Sequence, residues 1–326
     1  MRFVVFGAGA IGGVIGGRLF EHGNEVVLIA RGAHGEALRS NGLRLESPDG
    51  VAVLPVPACL GPADVEWRSD DVVVLAMKSQ DTVAALQALS AVAPAHVPIV
   101  SAQNGVDNER VALRSFKDVY GICVMLPATH LEPGVVQANS APVSGLLDIG
   151  RWPSGSDDLA AEIAAVLAKS SFDSVAREDI SLWKYRKLLM NLGNAVQALC
   201  GRSAGGEVAS MAREEGEECL ALAGVSFLSS EDDAERRGDL LTSRPISGRE
   251  RGGGSSWQSL ARSTGTIEAD YLNGEIVLLG RLHGFPTPVN SLLQRLAGEA
   301  ARERRPPGSM TEEEILSLLR SQPVAG

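Results

Sequence analysis

Short runs of apolar residues alternate with helix-length amphipathic stretches through the first half of the chain. Five of these runs are rich in β-branched residues and are typical of buried strands: Arg2–Phe6, Glu25–Ala30, Val72–Ala76, Pro98–Ser101 and Val119–Val124. Buried strands separated by helices are the pattern of parallel βαβ units. The first half therefore predicts a doubly wound, mostly parallel α/β sheet of Rossmann type.

Two weaker features interrupt this alternation. Leu43–Glu46 and Val51–Leu54 flank the turn-forming tripeptide Pro48-Asp49-Gly50, which predicts a small hairpin. Val135–Ala138 and Gly145–Ile149 predict further antiparallel strands near the edge of the sheet.

After Glu178 the apolar period becomes that of helices. The predicted helices are Ile180–Leu199, Gly206–Phe227, Ser255–Leu282, Val289–Ala301 and Glu312–Arg320. The last follows a Thr311-x-x-Glu314 capping box, and the glycine-rich Gly248–Gly254 predicts a mobile loop before the longest helix. We therefore expect a Rossmann-type domain at residues 1–177 and an all-α domain at residues 178–326.

The charge balance excludes several kinds of partner. Asp and Glu number 40 against 30 Lys and Arg, giving a formal net charge of −10. Nucleic acids and anionic membrane surfaces attract a cationic footprint, so neither is expected as a partner. No apolar run reaches the roughly 20 residues of a membrane span, and we expect a cytoplasmic protein. No HxxxH or HExxH pattern occurs, so no metal site is expected. A Gly-x-Ser-x-Gly match at residues 201–205 lies between two predicted helices and does not follow a strand, so no serine hydrolase site is expected.

A glycine motif, Gly7-Ala8-Gly9-Ala10-Ile11-Gly12, lies between the first predicted strand and the helix that follows it. In a dinucleotide-binding fingerprint the first glycine permits the tight turn, and the second lets the backbone approach the pyrophosphate. The third allows the helix to pack closely on the strand. The N-terminus of the helix adds unpaired N–H groups and the positive end of its dipole. This combination predicts a dinucleotide site.

Arg31 ends the second predicted strand, where NAD-specific sites usually carry an acidic residue for the ribose 2′-hydroxyl. A guanidinium at that point can pair with a 2′-phosphate through two hydrogen bonds. Arg31 therefore favours NADP(H) as the cofactor. The alternative is a solvated arginine at a strand end.

Lys78 and Asn104 each follow a predicted parallel strand, in Met77-Lys78-Ser79 and Gln103-Asn104-Gly105. Ligands bind at the carboxyl ends of the strands in such sheets. Both are therefore candidate site residues, although a surface lysine and a turn asparagine would give the same pattern.

In the helical half, Lys187, Asn191 and Asn194 are spaced i, i+4 and i+7 among apolar neighbours. One helix face then presents an ammonium and two amides, and buried amides need hydrogen-bond partners that a ligand can supply. A solvent-facing stripe would look the same. Ser255-Ser256 and Glu268 complete the candidates. Glu268 could orient the Lys187 ammonium, whereas a solvated helix face is the ordinary explanation for such a carboxylate.

Taken together, these motifs resemble the ketopantoate reductase (2-dehydropantoate 2-reductase) family. Their order and approximate spacing match over nearly the whole chain: Gly7–Gly12, Arg31, Lys78, Asn104, Lys187–Asn191, Ser255-Ser256 and Glu268–Gly274. The resemblance implies a Rossmann domain, a helical domain and a cleft between them. It also implies NADPH-dependent reduction of a 2-keto acid to a 2-hydroxy acid, and it is compatible with a homodimer.

The resemblance also implies roles for the candidate residues. Lys187 would be the general acid that protonates the carbonyl oxygen, and Glu268 would support Lys187 or the cofactor. This agrees with the chemistry, because hydride addition builds negative charge on oxygen that an ammonium can stabilise and neutralise. Asn104 would lie near the nicotinamide and the substrate, and Lys78 would contact the cofactor or the substrate. The polar groups of the substrate would be held by Asn191, Asn194 and Ser256.

Three stretches depart from the family pattern. Asn194 comes seven residues after the lysine where eight is common, Ile267–Tyr271 replaces the usual Thr-Glu-Ile-Asp-Tyr, and Asp232–Gly254 is longer and more polar. These departures leave the identity of the keto acid open. Two other hypotheses are a two-domain dehydrogenase of the 3-hydroxyacid or opine type and an NADP-sensing regulator without turnover.

Overall fold

A computed structural model of the protein describes residues 1–201, 206–248 and 251–321. Its strands are β1 (Arg2–Phe6), β2 (Glu25–Ile29), β3 (Leu43–Ser47), β4 (Gly50–Leu54), β5 (Ala58–Cys59), β6 (Asp71–Leu75), β7 (Ile99–Ser101), β8 (Val119–Met125), β9 (Ala128–Thr129), β10 (Val135–Ala138), β11 (Ser140–Pro142), β12 (Gly145–Arg151), β13 (Phe172–Asp173) and β14 (Leu241–Ser243). Its α-helices are α1 (Ala10–Glu21), α2 (Gly32–Asn41), α3 (Thr82–Ser90), α4 (Asn108–Ala112), α5 (Asp158–Ala168), α6 (Ile180–Asn191), α7 (Asn194–Cys200), α8 (Glu207–Leu222), α9 (Ser230–Arg237), α10 (Ser255–Ala261), α11 (Asn273–His283), α12 (Pro288–Arg302) and α13 (Glu312–Arg320).

The chain forms two compact units. The first comprises Met1–Lys184 and Ser229–Arg251, and the second comprises Tyr185–Leu228 and Gly252–Gly326. The first is an α/β unit and the second is helical, which confirms the predicted fold class. The division expected at residues 177 and 178 stays a prediction. No helix among the described residues is both long enough and apolar enough to cross a membrane.

The main sheet of the first unit runs in the order β13-β12-β8-β7-β6-β1-β2-β5. The strands from β8 through β5 pair in parallel, whereas β12 pairs antiparallel with β8. All five residues of β6 are buried, because both faces of a doubly wound sheet are covered. The chain enters at β1 and winds outward in both directions, so the carboxyl ends of β1, β2 and β6 surround the point where such sheets bind ligands.

Helix α1 lies unusually close to the sheets because its inner face is made of glycines. A Cβ at Gly16 would stand 2.5 Å from Cδ2 of Leu28, and one at Gly13 would stand 2.6 Å from Cγ1 of Val136. No larger residue fits at either position without a shift of the helix. The close approach fixes the N-terminus of α1 beside the carboxyl ends of β1 and β2.

A second, smaller sheet runs in the order β4-β3-β10-β9. The predicted hairpin is present as β3 and β4, which pair antiparallel. The expected place of Val135–Ala138 at the edge of the main sheet is wrong, because β10 pairs in parallel with β3. Val136 of β10 is fully buried in the space that Gly13 leaves on α1, which explains its position. The antiparallel strand at Gly145–Ile149 is confirmed as β12.

Two predicted helices are each broken in the structure. Ile180–Leu199 divides into α6 and α7 at Leu192 and Gly193. Ser255–Leu282 divides into α10, a 3₁₀ helix at Glu268–Tyr271, and α11. Left-handed backbone at Ser263 (φ 50°) and Gly265 (φ 77°) stops α10 from continuing.

The other predicted helices follow their expected course. The segment Gly206–Phe227 is helical as far as Leu222, where α8 ends. Val289–Ala301 lies within α12. The capping box of Thr311 and Glu314 begins α13 as predicted.

The polar segment Ser229–Arg251 is structured and belongs to the first unit, so the expectation of helix alone after residue 178 is wrong here. Strand β14 pairs antiparallel with β11. Arg236 of α9 donates to both carboxylate oxygens of buried Asp148, at 2.9 and 2.6 Å, and pairs with Asp173. A buried carboxylate is stable only when it is paired, so the bonds from Arg236 to Asp148 explain why the segment packs against the main sheet. The mobile loop predicted at Gly248–Gly254 includes residues 249 and 250, which lie outside the described residues.

Candidate active site

The glycine motif forms the turn between β1 and α1 that the sequence predicted. Gly7 has φ 97°, and a Cβ on it would stand 2.6 Å from the backbone nitrogen of Met77. A Cβ on Gly12 would overlap the carbonyl oxygen of Gly7. The N–H groups of Gly7 and Ala8 both donate to the carbonyl of Ile29, at 2.9 and 3.2 Å. These contacts hold the turn tightly against the ends of β2 and β6.

Gly9 differs from the glycines on either side of it. A Cβ placed on Gly9 would meet no atom within 4 Å, so the backbone here borders open space. Gly9 is also the N-cap of α1, and it has no side chain to bond the first helical N–H groups. Such groups at a helix N-terminus attract anions. The residues present therefore fit the pyrophosphate of a dinucleotide.

Arg31 lies at the end of β2 and is the N-cap of α2. Its side chain is 80 % exposed and donates to a carboxylate oxygen of Asp81 at 2.7 Å. Asp81 ends the 3₁₀ helix that follows Lys78, so this exposed ion pair joins the loops after β2 and β6. Exposed ion pairs contribute little stability, and Arg31 can exchange this partner for another anion.

The loops that carry Lys78 and Asn104 are joined by a network of buried polar groups. The Gln103 amide donates to the carbonyl of Met77 at 3.0 Å and to the Thr82 hydroxyl at 2.8 Å. The Asn108 amide donates to the carbonyl of Asn104 at 3.0 Å and to the Ser79 hydroxyl at 3.1 Å. Networks satisfied in this way are rigid. The structure thus brings the two predicted loops together and holds both Lys78 and Asn104 half-buried.

Sequence reasoning did not find this network, or the contact that His34 makes with the glycine motif. The N–H of Gly134 donates to Nδ1 of His34 at 2.9 Å, so the ring's proton lies on Nε2, which donates to the carbonyl of Ala8 at 2.7 Å. A single histidine in a polar helix gives no sequence signal. By contrast, Gln103 stands beside Asn104 in the motif and could have been included.

In the second unit, the break between α6 and α7 lies inside the predicted Lys187–Asn194 stripe. Lys187 is half-buried and Asn191 is 5 % exposed on α6, whereas Asn194 is the first residue of α7. The spacing i, i+4 therefore holds for Lys187 and Asn191 on one continuous helix. The prediction that Asn194 lies on the same continuous helix is wrong, because α6 ends at Asn191 and Asn194 begins α7.

Asn194 instead lies near the start of α10, which carries Ser256. The Gly254 N–H donates to the side-chain oxygen of Gln197 at 2.8 Å, and a Cβ on Gly254 would stand 3.8 Å from Oδ1 of Asn194. Ser256, in the first turn of α10, is 3 % exposed. The structure therefore brings Asn194 and the serine segment together.

Glu268 lies in the 3₁₀ helix before α11 and is 5 % exposed. Asn273, the first residue of α11, contacts the segment that follows α6, because its amide donates to the carbonyl of Leu192 at 3.1 Å and to Oδ1 of Asn290 at 2.9 Å. The Asn290 amide in turn donates to Glu215 at 2.8 Å. Burial raises the pKa of Glu215, although its hydrogen bonds from Asn290 and Val289 act in the opposite direction. The support of Lys187 by Glu268 stays a prediction.

The two units together define a class of protein: a Rossmann-type dinucleotide-binding unit followed by a helical unit that presents a lysine, amides and a buried serine. Within the described ranges, no group of three or more His, Cys, Asp or Glu side chains is placed to hold a metal ion. The ketopantoate reductase PanE/ApbA family matches residues 3–154, and the C-terminal domain of that family matches residues 179–301. This chain belongs to the ketopantoate reductase family.

Similar proteins match over most of their length. A 2-dehydropantoate 2-reductase of Mesorhizobium japonicum is 30% identical, over 92% of this chain and 98% of that protein. A 2-dehydropantoate 2-reductase of Pyrococcus horikoshii is 28% identical, over 91% of this chain and 96% of that protein. The crystal structure of a ketopantoate reductase from Ralstonia eutropha is 29% identical with a TM-score of 0.76, covering 94% of this chain and all of that one.

Proposed function

We propose that this protein is an NADPH-dependent reductase that converts a 2-keto acid into the corresponding 2-hydroxy acid, with 2-dehydropantoate as the first substrate to test. Membership of the ketopantoate reductase family makes it an oxidoreductase that acts on a C=O/CH–OH pair. The observation that carries the substrate is the match of both units to relatives named 2-dehydropantoate 2-reductase.

A nicotinamide dinucleotide is the cofactor of this reaction, and NADP(H) is the form that Arg31 favours. The backbone at Gly9 and the N-terminus of α1 would hold the pyrophosphate. Arg31, exposed and paired with Asp81, would turn from that carboxylate to the 2′-phosphate. A phosphate accepts charge-assisted, bidentate hydrogen bonds from a guanidinium. Lys78 and Asn104, held together by the network around Gln103, would contact the nicotinamide end and the substrate.

The proton comes from the second unit in this proposal. The bound nicotinamide would supply a hydride to the carbonyl carbon. The Lys187 ammonium donates a proton to the carbonyl oxygen as negative charge develops there. Glu268 supports Lys187 by stabilising its charged form. The carboxylate and the other polar groups of the substrate are bound by Asn191, Asn194 and Ser256.

The direct test is a panel of 2-keto acids that includes 2-dehydropantoate, assayed by the absorbance loss of NADPH and, separately, of NADH. We expect turnover with NADPH and a higher kcat/KM for NADPH than for NADH. Preference for NADH would contradict the role of Arg31. Binding of NADPH without turnover of any keto acid would replace the proposal with a nucleotide-sensing regulator.

A homodimer also stays a prediction. Light scattering behind a sizing column would report twice the 34.2 kDa chain mass if it is correct.

A further inference from the structure

A buried ion pair beneath the Asn104 loop takes no part in the chemistry described above. Lys184 of α6 is 3 % exposed and Glu109 of α4 is 0 % exposed, and the Lys184 ammonium contacts the Glu109 carboxylate. The same ammonium donates to the carbonyl of Gln103 at 3.0 Å and lies 3.4 Å from the carbonyl of Ile122. Lys184 of α6 therefore contacts α4, β8 and the segment that follows β7 at one point.

The strand next to the pair leaves room for it. Gly121 lies in the middle of β8, and a Cβ there would stand 3.1 Å from Cδ of Lys184 and 3.2 Å from Oε1 of Glu109. Glycine weakens the interior of a strand and often marks a close approach of another group. The absence of a side chain at Gly121 therefore leaves space for the ion pair.

Stability does not explain why a charged pair occupies this place. Moving two charges out of water costs several kcal/mol per ion, and well-packed apolar residues of similar volume often replace such a pair without loss. The hydrogen bond from Lys184 to Gln103 is different, because an apolar side chain cannot make it. The Gln103 carbonyl belongs to the peptide bond that leads into Asn104. Gln103 also anchors the Lys78 loop through the carbonyl of Met77.

We propose that Lys184, held by Glu109, is a positioning residue that fixes the Gln103–Asn104 peptide and so sets the place of the Asn104 side chain. This inference rests on the proposed function, in which Asn104 contacts the nicotinamide and the substrate. Cofactor binding at the glycine motif does not depend on the pair. Its loss therefore lowers kcat and leaves the affinity for NADPH nearly unchanged.

The test removes both charges at once, in Lys184→Met/Glu109→Leu, so that no charge is left buried without a partner. The matched control is Arg2→Met/Asp71→Leu, which removes a second buried pair of the same unit, with Nε of Arg2 2.6 Å from Oδ1 of Asp71. That pair joins the first residues of β1 and β6, at the other end of the strands from Asn104. Lys184→Met/Glu109→Gln provides a second version with a different packing volume.

Three quantities are measured on each purified variant: kcat for the 2-keto acid, the Kd of NADPH by its fluorescence, and hydrogen exchange of the peptide that contains Gln103–Gly105. We expect a ten- to hundredfold lower kcat, as about 1 Å of misplacement can cause. We also expect an unchanged Kd and faster exchange at Gln103–Gly105. The Arg2/Asp71 control keeps wild-type kcat and wild-type exchange at that peptide.

The outcomes distinguish failure of the positioning role of Lys184 from failure of the proposed function. An active wild type with an unchanged kcat in both Lys184 variants overturns the positioning role. The same holds if neither Lys184 variant folds while the control does, because the pair is then needed for the fold itself. If the wild type reduces no keto acid, the proposed function fails, and faster exchange confined to Gln103–Gly105 still supports the positioning role while unchanged exchange overturns it.

Discussion

The carboxyl edge of the sheet in the first unit and the break between α6 and α7 in the second unit are built in different ways. At the glycine turn of this edge the groups proposed to hold the pyrophosphate are backbone N–H groups, and the glycines that shape the turn lie within Gly7–Gly12. At the helix break the candidate groups are side chains, and their placement depends on Asn273, 81 residues away from the Leu192 carbonyl that it caps. The proposed pyrophosphate site is thus encoded locally, whereas the placement of the proposed catalytic groups depends on distant contacts.

Removing the proton donor should give the largest effect. Lys187→Met is expected to lower kcat/KM for the keto acid by about 10²- to 10⁴-fold, the range typical of a general acid. The Kd of NADPH should stay close to the wild-type value, because the groups proposed to hold the nucleotide belong to the first unit. Steady-state kinetics and NADPH fluorescence measure the two quantities. Lys117→Met, at an exposed lysine, is the control, and equal losses in both variants would contradict the assignment.

The glycine motif offers a pair of matched substitutions. Gly9→Ala adds a methyl group where the pyrophosphate should lie, at an overpacking cost of about 1–3 kcal/mol, which weakens NADPH binding about 5- to 150-fold. Its melting temperature should barely change, because the structure has space for the Cβ. Gly12→Ala should instead lower the melting temperature, since its Cβ overlaps Gly7.

Calorimetry and NADPH titration separate these two effects. Gly61→Ala, with no atom within 4 Å of its Cβ, controls for the loss of a glycine. Unaltered NADPH binding in Gly9→Ala would move the pyrophosphate away from this loop.

Arg31 tests the choice of nucleotide. Arg31→Gln should weaken NADPH binding about tenfold, since a hydrogen bond to a charged group contributes about 1.5 kcal/mol or more. NADH, which lacks the 2′-phosphate, should bind as it does to the wild type. The dissociation constants of both nucleotides are compared with those of Arg39→Gln, an exposed arginine of α2. An equal loss for NADPH and NADH would mean that Arg31 does not contact the 2′-phosphate.

The distant cap at the helix break can be compared with a local one. Asn273→Ala leaves the buried Leu192 carbonyl without its donor and should cost about 1–3 kcal/mol in the free energy of unfolding. Asn24 makes the analogous bond at the end of α1, to Leu19 only five residues away, and is half-buried. Urea denaturation should show a smaller loss for Asn24→Ala. Reversed magnitudes would argue against the importance of the distant contact.

The reactivity of one cysteine in each unit, Cys59 and Cys200, reports how readily the structure around the thiol opens to solvent. Burial raises the pKa of the Cys200 thiol to about 11, and it also raises the pKa of Cys59. A raised pKa means less thiolate, so at pH 8 only about one Cys200 in a thousand is reactive. Its rate of labelling by a disulfide reagent should rise about tenfold per pH unit up to pH 10. Fast labelling at pH 8 would indicate local opening of α7.

Sequence reasoning succeeded where neighbouring residues determine the structure. The order of strand, Gly7–Gly12 and helix is a local pattern, and so is the capping box at Thr311. The main sheet followed from apolar runs that are buried on both faces. For the same reason the sequence alone places the two loops with Lys78 and Asn104 at one edge of the sheet.

Sequence reasoning failed where contacts between residues far apart in the sequence determine the structure. The apolar period continues past Leu192 and Gly193, and a single glycine is tolerated inside a helix, so the local pattern predicts that α6 continues there. Val136 could not be assigned to the smaller sheet without knowing that Gly13 leaves space for it. The ion pair of Lys184 with Glu109 joins residues 75 positions apart, and a lysine three residues before Lys187 reads as an ordinary helical charge.

The measurement that tests the central claim most directly is the mass of the product formed from 2-dehydropantoate with NADPH deuterated at both C4 positions. Direct hydride transfer to C2 predicts a hydroxy acid that carries one deuterium, formed in step with NADPH oxidation and almost absent with Lys187→Met. A product without deuterium, or no product while NADPH binds normally, would contradict the account.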